Sequence, residues 1–190
     1  MHFNIARVIF AFFCLAFLGW FAESAQESIV RKKLISKGFF YGPFVPVHGF
    51  GGLTIYFTLS PIRAWPVAVF IGGLALGTIV EYITALFLEK CFKVKCWDYR
   101  TYPHTRRCHF QGRVSLTISL FFGVISLVIV YTLWDFIMAA AAHLGGALFI
   151  VDAALIALFV CDALVSCMRV IKAVKSGGQL SGWAVFTPPP

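Results

Sequence analysis

Three acidic residues sit inside long apolar runs of this chain: Glu23, Glu81 and Asp162. A carboxylate at mid-membrane costs roughly 2.5–3.5 kcal/mol on insertion scales, so it turns inward and is paired or functional. Each acid precedes a basic residue by seven to nine positions: Glu23 before Arg31, Glu81 before Lys90, Asp162 before Arg169. In a helix that spacing is about 10–14 Å, which gives the three carboxylates a common depth. Such a set can bind a cation, a proton or a basic substrate group. Helix-to-helix hydrogen bonding by protonated acids is the structural alternative. For Glu23, simple wetting is a third, because Gln26 and Glu27 follow it.

The stretch Gly38–Gly52, GFFYGPFVPVHGFGG, is apolar yet carries Gly42, Pro43, Pro46, His48 and Gly49. In a helix, Pro43 would free the carbonyl of Phe39 and Pro46 that of Gly42. At membrane depth, broken backbone lies against protein or lines a watery cavity. The stretch therefore reads as the wall of a site, with Gly42, Pro43, Pro46 and Gly49 supplying the break. His48 can pair with Glu81, titrate near neutral pH, or bond to a freed carbonyl.

These residues need a membrane scaffold, and the composition supplies one. Of 190 residues, 60% are hydrophobic and only 13% charged. That is about half the charge of a soluble domain. The expected fold is an all-α integral membrane bundle of about five transmembrane helices, over residues 4–24, 38–60, 65–88, 114–134 and 146–168. Residues 1–175 form one domain and 176–190 a flexible tail. Trp134–Leu144 either extends the fourth span or lies along the interface. With five crossings, Arg7 and Arg63 fall on one side and the other fourteen Lys and Arg residues on the other. The positive-inside rule then puts the N-terminus outside and the C-terminus in the cytoplasm. It also explains the net charge of +8 without nucleic acid, for which no motif is present. A cleavable leader ending near Ala22–Ala25 would strand the basic Arg31–Lys37 loop outside, against this count.

The polar segment between the third and fourth spans carries Trp97, Asp98, Tyr99 and Arg113. Its aromatic rings suit the headgroup level, and Arg113 can snorkel to lipid phosphate or reach an acid at the cytoplasmic mouth. Cys91, Cys96, His104, Cys108 and His109 include enough zinc-type ligands, but their spacing matches no common pattern. No metal and no cofactor is expected. The six cysteines form no secreted disulfide framework. There is no GxxxxGK[ST] motif, no HExxH and no evident Ser-His-Asp arrangement, so no enzyme class is indicated.

Taken in order, Gly19-Trp20-x-x-Glu23, Lys37-Gly38-Phe39-x-Tyr41-Gly42-Pro43-x-x-Pro46-x-x-Gly49-Phe50-Gly51, Glu81-Tyr82, Glu89, Trp97-Asp98-Tyr99 and Gly112-Arg113 resemble the bacterial family called Putative ABC-transporter type IV, or putative ABC transporter permease. The resemblance runs from about Gly19 to Tyr131, and Asp162 resembles the family's final span. The family pattern has Tyr where His48 stands, a second Trp at Cys96, and Asn around Gln111 or His109. The resemblance implies transport, with Glu23 raised to a site residue. The expected function is a permease-like subunit of the cell membrane, its polar site lying between spans one, two, three and five and open to the cytoplasm. Membrane lipid, a separate ATPase subunit and a homo-oligomer are the expected partners. A membrane enzyme or lipid-handling protein, and an assembly subunit, are the alternatives.

Overall fold

The computed structural model describes residues 4–91, 95, 97–101, 105 and 107–175; the expected tail, Cys96 and His104 lie outside them. Six α-helices and one short hairpin are found among the described residues: α1 (Ile5–Arg31), α2 (Pro46–Leu59), α3 (Pro66–Cys91), β1 (His109–Phe110), β2 (Val114–Ser115), α4 (Leu116–Val128), α5 (Trp134–Leu144) and α6 (Leu148–Lys175). A five-residue π-helical turn, Ile129–Leu133, joins α4 to α5. Three stretches are long and apolar enough to cross a membrane: Ile5–Ile29, Pro66–Cys91 and Leu116–Arg169. The last has 54 residues. A single crossing takes about 20 residues, and Gly145, at φ +52, interrupts this stretch between α5 and α6.

The first helix runs beyond residue 24 to Arg31, where Lys32 closes it at φ 52 with its N–H directed to the carbonyls of Ile29 and Ser28. Glu27 is buried inside it. In the second apolar run, residues 38–45 hold no regular element, and α2 begins at Pro46, where a missing N–H costs nothing. Trp134–Leu144 follows the π turn directly as α5.

The chain forms two compact units, residues 1–50 with 135–190, and residues 51–134. In the first, α1 packs on α6. Along α6, Leu148, Asp152, Leu155, Phe159, Asp162, Ser166 and Arg169 recur at alternating steps of four and three, the spacing of a single helix face. Phe159 meets Phe12 and Phe13 edge-on, at 6.2 and 5.8 Å between centroids.

In the second unit, α3 packs on α4. The buried residues of α3 are Val69, Gly73, Gly77, Glu81 and Ala85, one every four positions. Small residues let the two backbones close up, the usual device where lipid removes the hydrophobic drive. Ser126 of α4 donates to the Val69 carbonyl at 3.1 Å, and Thr78 donates to Ser119 Oγ at 2.6 Å. Glu81 is thus carried on the helix face that contacts α4.

Candidate functional site

In the first unit the polar groups gather around residues 32–45. Ile35 N–H donates to Ser28 Oγ at 2.9 Å, Lys37 N–H to Ser24 Oγ at 3.0 Å, and Val45 N–H to the Ala16 carbonyl at 3.1 Å. The segment therefore retraces α1 backwards from Ser28 to Ala16, about 18 Å of helix. Its carbonyls also find partners: Phe39 accepts from Arg169 Nη2 at 3.0 Å, and Gly42 accepts from Phe44 N–H at 2.9 Å. These are the two carbonyls that the prolines would free.

Glu23 sits beside this segment. Its Oε1 lies 2.7 Å from His48 Nε2 and its Oε2 lies 3.4 Å from Lys37 Nζ. The Glu23 side chain stays 31% exposed. Gly19, one turn earlier, is small for a reason: a Cβ there would overlap the His48 ring. The His48 partner is thus Glu23, and Gly49 after it lies against Phe12, where a Cβ would come within 2.6 Å of the ring.

Asp162 plays a different part. Its Oδ1 accepts from Tyr41 N–H at 3.0 Å and Ser166 Oγ at 3.0 Å, and its Oδ2 accepts from Gly42 N–H at 2.7 Å. A Cβ at Gly42 would stand 2.8 Å from that oxygen, so glycine is what lets the amide reach it. The Arg169 guanidinium covers the Tyr41 ring at 4.3 Å. Pro43 lines a shallow, largely apolar groove with Gly42, Phe44, Leu158, Cys161 and Val165. Pro46 opens α2.

In the second unit, the loop residues named from sequence converge. Glu81, 8% exposed, accepts from the Tyr99 hydroxyl at 2.5 Å. Tyr99 N–H donates to the Gly112 carbonyl at 2.9 Å, and Trp97 Nε1 to the Arg113 carbonyl at 2.8 Å. The hairpin turn between β1 and β2 has Gln111 at φ 54 and Gly112 at φ 73, the left-handed pair that a type I′ turn requires. Gln111 Oε1 accepts from the Tyr82 hydroxyl at 3.1 Å and from Arg113 Nη1.

Arg113 is engaged on its other edge by Glu89, whose Oε2 accepts from Nε at 3.0 Å and Nη2 at 2.5 Å. That hydrogen bond pushes the Arg113 pKa further up. Asp98 is clamped in turn. Arg100 donates to it from Nε (2.9 and 3.1 Å) and from Nη2 (2.7 Å), and Lys95 Nζ donates at 2.6 Å. Arg100 first, with Lys95, holds the Asp98 carboxyl well below the usual carboxylate range.

The sequence model of the Putative ABC-transporter type IV family matches residues 10–167. The chain belongs to that family. It is a transporter-related membrane protein. No curated protein and no solved structure matches it. Within this Putative ABC-transporter type IV chain, the ordered motifs have distinct local jobs. Gly19 and Glu23 accommodate and hold residue 48, Tyr41 and Gly42 present amides to Asp162, and Trp97, Tyr99 and Gly112-Arg113 tie a loop to Glu81. Gln111 occupies a left-handed position, φ 54, that asparagine would tolerate better.

No group of three or more metal-ligating side chains occurs among the described residues. The zinc reading of the loop includes Cys96 and His104, outside those residues. Sequence reasoning passed over Asp152, which is 3% exposed on the α6 face that also carries Asp162. The signal was its setting, LFIVDAALIALF, but no basic residue follows it at the spacing used to pick the others.

Proposed function

We propose that the protein is a permease-like subunit of a transporter, crossing the cytoplasmic membrane about five times with its C-terminus inside. Its ATPase, or a second copy that completes the path, is a separate chain. Glu23 binds a cationic group of the substrate, and Lys37 stands in for that group at rest. His48 helps by holding the second carboxylate oxygen.

One observation carries this reading: Glu23 faces the Lys37 ammonium and the His48 ring while remaining nearly one-third exposed, next to backbone that is not helical. Ion pairs this open are worth only about 0–1 kcal/mol each, so an incoming cation can displace Lys37 at little cost. Discontinuous helices in transporters offer carbonyls and ion sites in the same way. Asp162 supports the site by fixing Tyr41 and Gly42, and Glu81 with Trp97, Asp98, Tyr99 and Arg113 closes the cytoplasmic end of α3. A lipid-phosphate role for Arg113 is disfavoured, since Glu89 and Gln111 already occupy its guanidinium.

The test is uptake of radiolabelled spermidine, arginine, choline and sodium by vesicles holding the full chain with its co-purified partners. At least one should be taken up, and Glu23→Gln should lower that uptake about tenfold, the loss of one charge-assisted contact of ~1.4 kcal/mol. Uptake of an accepted probe unchanged by Glu23→Gln, or no uptake of any of the four, would refute the reading.

A further inference from the structure

Asp152 stands apart from every site above. It lies ten residues before Asp162 on the same face of α6, about 15 Å away along the axis. It is 3% exposed, and neither carboxylate oxygen has a hydrogen-bond partner among the described residues. The other acids named above are engaged. Glu23 has Lys37 and His48, Asp162 has two amides and a hydroxyl, Glu81 has Tyr99, and Asp98 has Arg100 and Lys95.

The surroundings offer no counter-charge among the described residues. On α1, the Cys14 thiol lies within electrostatic range of Asp152. Of the other titratable groups on α1, Arg7 is exposed, Glu23 is paired and Glu27 has its own interactions. On α5, Asp135 and His143 are exposed. Apart from Ser24 and Glu27 of α1, the buried residues of α1 and α5 in this unit, such as Ala11, Leu15, Ala16, Ile137 and Ala141, are apolar. Asp152 is the fifth residue of α6, beyond the first turn where the helix dipole acts.

A carboxylate this buried is kept only when something positive meets it. We propose that Asp152 is an intramembrane proton-binding site, its carboxyl holding a proton at neutral pH. A small ion is the ligand that fits, since 3% exposure leaves no room for a side chain from another molecule to approach. The site would add a second cation position to the chain, on a different level of α6 from the Asp162 clamp.

The test uses the full wild-type chain in lipid nanodiscs, with carboxyl-labelled aspartate. The chain has four aspartates, and Val151-Asp152 is its single Val-Asp pair, so labelling valine carbonyl with aspartate nitrogen assigns Asp152 without any mutation. In sodium-free choline buffer at pH 7, a resonance in the neutral-acid position identifies the proton as occupant. A resonance at the position of an ionised carboxylate, or one that shifts on adding sodium chloride but not choline chloride, would overturn the proposal. Asp152→Asn should remove the neutral-acid signal and leave the other three in place. The readout is occupancy of one carboxyl, so it stands whatever becomes of the transport reading.

Discussion

The two units hold the acids of their apolar runs by opposite means. In the first, Glu23 touches Lys37 and His48, which are themselves part-exposed, and Asp162 grips the amides of a non-helical turn. In the second, Glu81 is buried and receives a tyrosine hydroxyl from a loop, which Asp98, Glu89 and Arg113 then brace. Similar placement in sequence has produced three different electrostatic settings: an open ion pair, a backbone clamp and a buried hydrogen bond. The proposed function makes the open pair the one that exchanges its partner.

That contrast can be broken most forcefully at Asp162. Asp162→Ala leaves the Tyr41 and Gly42 amides without their acceptor, which should cost about 3 kcal/mol of stability, since hydrogen bonds to charged groups are worth ~1.5–3 kcal/mol each. Thermal unfolding in detergent would show it, and Asp162→Asn, which keeps one acceptor oxygen, should recover roughly half. A loss no larger than that of a surface substitution would mean that the turn holds itself.

In the second unit, Gly112→Ala places a Cβ at φ +73 against the Asp98 carboxylate and should cost about 2 kcal/mol. Tyr99→Phe removes the donor to Glu81 and should cost about 1–2 kcal/mol, read as faster proteolysis of the loop. If Tyr99→Phe instead matched wild type, the loop would be held by the hairpin alone.

The smallest effect is with pH. Asp98 has a folded pKa below its unfolded value near 3.9. Its contribution is therefore fully present above that unfolded value and is lost as pH falls through the lower folded one. Loop protection in hydrogen exchange should be flat between pH 5 and 8, and Asp98→Asn should lower it throughout. A change near neutral pH would point to a different group.

Much of this was legible in the sequence because cost is legible there. Glu81 and Asp162 stand out among apolar neighbours, and the placement of Trp97, Tyr99 and Arg113 in one polar loop foretold that they would share a cluster. Pairings were not legible. Nothing in the spacing says that His48 meets Glu23, because that depends on residues 32–45 folding back along α1. Nor does the sequence say where regular structure begins: α2 starts at Pro46, and residues 38–45 before it hold no regular element. Asp152 was missed because the depth argument keyed on a following basic residue, and the nearest one, Arg169, is seventeen positions on.

The central claim is that Lys37 occupies the place of an incoming cation at Glu23. It is tested most directly by spermidine binding to the full chain in nanodiscs, measured calorimetrically for wild type, Lys37→Met and Glu23→Gln. Removing the internal competitor should tighten binding up to about fivefold in Lys37→Met, the ~1 kcal/mol upper worth of an open ion pair, and Glu23→Gln should weaken it about tenfold. Binding to Lys37→Met that is absent, or no tighter than to wild type, would show that the Glu23–Lys37 pair is structural and contradict the account.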